Sequence, residues 1–114
     1  MIVEIFIRDI EVDASIRWLE SSLGRLVEID VSDDIHYLRT EHEETRVVVT
    51  PHMEDGPFLG LYVNGPKPPW ESSTQLAVTC AEELGKTVRW CEENTNRWME
   101  KTNRQPPIAI ESLD

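Results

Sequence analysis

The sequence predicts an α+β domain of two layers, a mostly antiparallel sheet with two helices packed on one face. Three observations predict it. Short segments rich in Val and Ile alternate apolar with polar residues at a period of two. Two longer segments instead carry apolar residues at helical spacing. The connections between the middle strands are also too short for parallel crossovers. At 114 residues the chain makes one domain, since cores divide only above roughly 250–300 residues. That domain is expected over 1–105, with 106–114 as an extended tail or an edge strand.

The first strand is read from Val3, Ile5 and Ile7, which point one way while Glu4 and Arg8 point the other. Asp13 is the expected N-cap of a helix of about ten residues that stops at Gly24. On it Ile16, Leu19 and Leu23 form one apolar stripe. Trp18 lies more than 100° away from that stripe, so either a second layer covers it or it is exposed.

Four strands follow as a meander: Leu26–Val31, Ile35–Thr40, Thr45–Thr50 and Phe58–Val63. Turns at Ser32–Asp34, Glu41–Glu44 and Met53–Pro57 join them. Pro51 cannot donate to a ladder, so it ends its strand or lies at an edge.

Asn64-Gly65-Pro66-Lys67-Pro68-Pro69 is a stiff connector. Ser72 or Ser73 then caps a second helix that ends at Gly85, with Leu76, Ala77, Cys80, Ala81 and Leu84 on one face. For 86–103 two readings stand. Lys86–Cys91 and Arg97–Lys101 make a hairpin across Glu92–Asn96, because Thr, Val and Trp favour strands and Asn favours turns. Alternatively the helix runs on to about Asn103 along a seam that includes Val88, Thr95 and Trp98. Gly85 and the Asn94-Thr95-Asn96 cluster speak for the hairpin. Ile108-Ala109-Ile110 can add an edge strand. A ferredoxin-like core with an extra hairpin is one arrangement of this order.

The chemistry-bearing motifs are mostly missing. Five scattered glycines form no phosphate-cradling loop, neither GxGxxG nor GxxxxGK[ST]. His36, His42 and His52 stand among Glu41, Glu43, Glu44, Glu54 and Asp55, but on turns and strand ends that do not converge, so no metal site is expected. Cys80 falls on the apolar face of the second helix, and Cys91 is followed by Glu92 and Glu93, which would blunt its thiolate. No GxSxG occurs. No catalytic residue and no cofactor are assigned, and an enzyme is not expected.

Glu4 interrupts the apolar opening, which argues against a secretory signal, and no apolar run has the length of a membrane span. Two cysteines give no disulfide framework, so free thiols and a cytoplasmic location are expected.

Charge is the most informative property. There are 22 Asp and Glu against 11 Lys and Arg, a formal charge of −11. Direct nucleic-acid binding and membrane surfaces are therefore disfavoured, since both partners are anionic. The imbalance sits in residues 1–57, with 14 acids and 5 bases. Within 28–44 Glu28, Asp30, Asp33, Asp34, Glu41, Glu43 and Glu44 face only Arg39. Crowded like charges weaken the compact state, so folding alone does not ask for them. They are read as a docking surface for a basic protein, with Trp18 and Trp70 as aromatic anchors. The plainer reading is a solvated rim with all the tryptophans in the core.

In size, charge and missing catalytic motifs the chain is similar in kind to bacterial immunity proteins, antitoxins and nucleic-acid-mimicking inhibitors. That resemblance implies an inhibitor masking a basic toxin or nuclease, acting as a monomer or homodimer, and no family signature adds residues to it. The alternative is a small-molecule-binding or regulatory homodimer whose pocket lies between helices and sheet, lined by Trp90 or Trp98.

Overall fold

A computed structural model of the chain describes residues 1–42 and 44–113. The alternating segments form eight strands: β1 (Ile2–Arg8), β2 (Leu26–Ser32), β3 (Ile35–Thr40), β4 (Arg46–Thr50), β5 (Phe58–Asn64), β6 (Thr87–Cys91), β7 (Trp98–Thr102) and β8 (Ile108–Ile110). Two α-helices, α1 (Val12–Leu23) and α2 (Ser73–Leu84), and a single 3-10 turn at Met53–Asp55 complete the fold of the described residues. All eight strands share one antiparallel sheet in the order β2-β3-β4-β5-β1-β6-β7-β8. The meander β2–β5 and the 86–103 hairpin are both present, each within a residue or two of the expected limits. β1 lies between β5 and β6, the order of a ferredoxin-like core widened by hairpins on both sides.

Both helices cover one face. Beneath them lie Val3, Ile5 and Ile7 of β1, Val47 and Val49 of β4, Leu59, Leu61 and Val63 of β5, and Val88 and Trp90 of β6, all nearly or fully buried. Strand periodicity put these residues on one side, so the core follows directly from the alternation.

Local signals set the helix ends. Ser72 caps α2 by accepting the Gln75 N–H at 3.0 Å. Gly85 closes the same helix in the left-handed region, at φ 66°, where a side chain would be strained. The expected Asp13 cap of α1 is corrected: the helix begins at Val12, with Glu11 at the N-cap position and no side-chain capping bond. β4 stops at Thr50, directly before Pro51.

One irregularity positions a site. β1 and β6 pair only at Phe6–Arg89 and Ile7–Val88, so the first half of β1 has no ladder on that side. The start of α2 plugs the gap. Ser73 Oγ accepts the Glu4 N–H at 3.0 Å, and the Ser73 N–H donates to Glu93 Oε2 at 2.8 Å.

Candidate functional site

Strand direction decides where the acids go. β1, β2, β4 and β7 all finish at the same end of the sheet, so the connections that follow them are neighbours there. Asp9 and Glu11 follow β1, Asp33 and Asp34 follow β2, and Glu54 and Asp55 follow β4. Asp33, Asp34, Thr50, Pro51, His52 and Asp55 surround one hollow of ≈ 430 Å³. Asp9, Glu11, Pro51 and His52 line a second of ≈ 270 Å³, so the two adjoin through Pro51 and His52. Six carboxylates from three connections thus share one end of the molecule.

Few cations answer them. Arg8 pairs with Asp9 at 3.5 Å, and Lys86 donates to the Asp9 carbonyl oxygen. Among the described residues, Glu11, Asp33, Asp34, Glu54 and Asp55 have no ion-pair partner, and all five are exposed. The backbone here is unusual as well. Asp9, Asp33, Asp34, His52, Glu54 and Asp55 all have φ between 51° and 66°. Asp33 and Asp34 form the two-residue loop between Ser32 and Ile35 with both φ positive, a position that ordinarily favours an Asn followed by a Gly.

The run 28–44 does not gather at one end, which corrects the expectation. Glu41 and Glu44 follow β3 and so lie at the opposite end from Asp33 and Asp34. Six residues of strand separate the two groups by about 20 Å. That is beyond a screening length of about 8 Å at physiological salt, so the fields act separately. Glu43 lies outside the described residues. Glu28 and Asp30 stand between, on the edge strand β2, where Glu28 Oε1 meets His36 Nδ1 at 2.7 Å. The ladder shifts register between Glu28 and Asp30, a bulge that with these charges discourages edge-to-edge pairing.

The tryptophan anchors are also corrected. Trp18 and Trp70 are only 8% and 4% exposed, and their rings stack at 5.9 Å with 23° between planes. Trp18 Nε1 donates to Glu83 Oε1 of α2 at 3.0 Å. The off-stripe angle was real, but its partners are the second helix and the proline-rich connector. Neither indole is available to a partner.

Trp90 and Trp98 do not share a pocket between helices and sheet. Trp90 is fully buried on the helix side, donating to Thr74 Oγ1 at 2.9 Å. Trp98 pairs with Cys91 in register and therefore lies on the opposite face, against Phe6 at 5.7 Å. Cys80 is buried at 0% exposure, and burial pushes its thiol far above the ordinary range. No described group of three His, Cys, Asp or Glu side chains is placed to hold a metal. No described helix is long and apolar enough to cross a membrane.

Sequence reasoning missed Asp9, Glu11, Glu54 and Asp55 as companions of Asp33 and Asp34. For Glu54 and Asp55 the signal was present, since alternate turns of a meander return to one end, whereas Asp9 and Glu11 join them only through the place of β1 in the sheet. Comparison of the chain with protein-family models, curated proteins and solved structures gives no match.

Proposed function

We propose that this protein is a small acidic inhibitor, of the immunity or antitoxin kind, that masks the cationic surface of a basic partner protein. The observation that carries the reading is the convergence of Glu11, Asp33, Asp34, Glu54 and Asp55 at one end, none of them in an ion pair among the described residues, although Arg8 and Arg89 share a hollow with Glu54. Such a field steers a cationic partner into register and accelerates encounter. The Asp33-Asp34 loop supports it too, because two adjacent like charges at positive φ repel where an Asn-Gly pair would not. The surface differs from the one drawn on sequence: 33–34 with 54–55 and 9–11 replaces the whole run 28–44. Two unpaired cysteines are consistent with a reducing, cytoplasmic setting.

The test is capture of a basic partner from source extract, followed by binding to two charge-neutralised variants. Asp33→Asn, Asp34→Asn, Glu54→Gln and Asp55→Asn together should weaken the complex at least tenfold. Glu41→Gln with Glu44→Gln, at the other end, should leave it within about twofold, given screening over that distance. Equal effects of the two variants would reject the surface.

A further inference from the structure

The face of the sheet away from the helices carries a groove that the acidic end does not explain. Ile2, Glu4, Phe6, Ser73, Cys91 and Trp98 line it, around a volume of ≈ 340 Å³. It exists because β1 and β6 part company beyond Phe6–Arg89. One wall is aromatic, Phe6 tilted at 48° against Trp98. Trp98 is half-buried, so part of its ring remains open. Glu4 lines the same groove, and its carboxylate has no cation within ion-pairing distance among the described residues. The neighbouring cation on this face, Arg89, is already committed to Glu100 at 2.6 Å, to the Leu113 carbonyl and to the Phe58 ring.

We propose that this groove receives a single arginine side chain of the basic partner, with the guanidinium between the Glu4 carboxylate and the Trp98 ring. The inference rests on the masking reading and adds an anchor to it. Three features select the occupant. At ≈ 340 Å³ the space is at the small end for a ligand pocket and has room for one long side chain to enter from the partner. A lone carboxylate beside an indole offers charge and a π face together, which a planar guanidinium uses better than a compact ammonium. The groove also supplies what the acidic end lacks, an aromatic wall of Phe6 and Trp98 beside an exposed carboxylate, since charges steer and aromatic contacts hold. Glu4 is exposed, but the groove walls desolvate its carboxyl enough to push it above the usual carboxylate range, and an incoming cation would relieve that cost.

The experiment follows backbone amides and the Trp98 indole N–H by NMR while the intact protein is titrated with N-acetyl-arginine methylamide. The lysine and citrulline analogues serve as comparisons. The arginine probe should move Glu4, Cys91 and Trp98 in a saturable way, the lysine probe more weakly, and the neutral citrulline probe not at all. Glu4→Gln should reduce the affinity at least fivefold, while Asp33→Asn with Asp34→Asn should leave it unchanged. Shifts at the acidic end alone, an equal response to citrulline, or indifference to Glu4→Gln would each overturn the proposal. The acidic end is tested separately, by the captured partner. Groove binding that survives alongside failed capture would reject the masking reading and leave a guanidinium site. Capture with a silent groove would reject the anchor only.

Discussion

The indole of Trp18 lies stacked on that of Trp70, and its N–H is held by Glu83 across the two helices. This contact ties α1 and the proline-rich connector to α2 above a continuous sheet. It also shows that an aromatic off a helix's apolar stripe can face a neighbouring helix as readily as solvent.

Trp18→Ala should therefore cost about 3–5 kcal/mol, the usual range for a buried aromatic truncated to alanine. Trp18→Phe should cost less, having lost the bond to Glu83 but kept much of the packing. Urea denaturation of the two variants measures both. A cost below about 1 kcal/mol for the alanine variant would contradict burial of this residue.

The loop Asp33-Asp34 should trade stability for function. The double substitution Asp33→Asn with Asp34→Gly suits two positive φ angles and removes two like charges, so stability should rise by about 0.5–2 kcal/mol. The same variant should associate more slowly with the basic partner. Thermal unfolding and stopped-flow mixing report the two effects. Unchanged association would mean that the charges serve solubility only.

The two thiols should react very differently. Cys91 lines the open groove, whereas Cys80 lies on the buried face of α2 with a thiol pushed up by burial. Mass spectrometry after brief alkylation should find one modified cysteine in the folded protein and two in denaturant. Bound N-acetyl-arginine methylamide should slow the reaction at Cys91.

Glu4 should leave a mark on the pH dependence of stability. Its folded carboxyl titrates above its unfolded one, because of desolvation. The folded state therefore holds the proton more tightly, and the contribution is full below the unfolded value and lost as pH rises through the folded one. Tyr62 is its neighbour in register, Cys91 shares the groove, and Glu93 approaches through Ser73. None of these supplies a compensating positive charge. Glu4→Gln should gain stability relative to the parent chain as pH rises from about 4 toward 7, in paired denaturation curves. A gain in the opposite direction would show that the carboxylate is stabilised after all.

Much of this fold was legible because alternation and turn chemistry are local. Val3, Ile5 and Ile7, the meander and the Ser72 and Gly85 caps each follow from residues within a few positions. The 86–103 hairpin was the harder choice, and its Asn94–Asn96 turn decided it in fact as it did in principle. The site was less legible because it depends on neighbours distant in sequence. Asp34 and Asp55 meet only because β2 and β4 run the same way, while Glu41 is carried off by β3. Trp70 looked outward beside its prolines until Trp18 is seen to cover it.

The most direct test of the account is the association rate of the protein with its captured basic partner, measured across a range of salt concentrations. Electrostatic masking by the Asp33, Asp34, Glu54 and Asp55 surface predicts a rate that falls at least tenfold between low and high salt, with a shallower slope once those four side chains are neutralised. A rate indifferent to salt, or a slope unchanged in the neutralised protein, would contradict it.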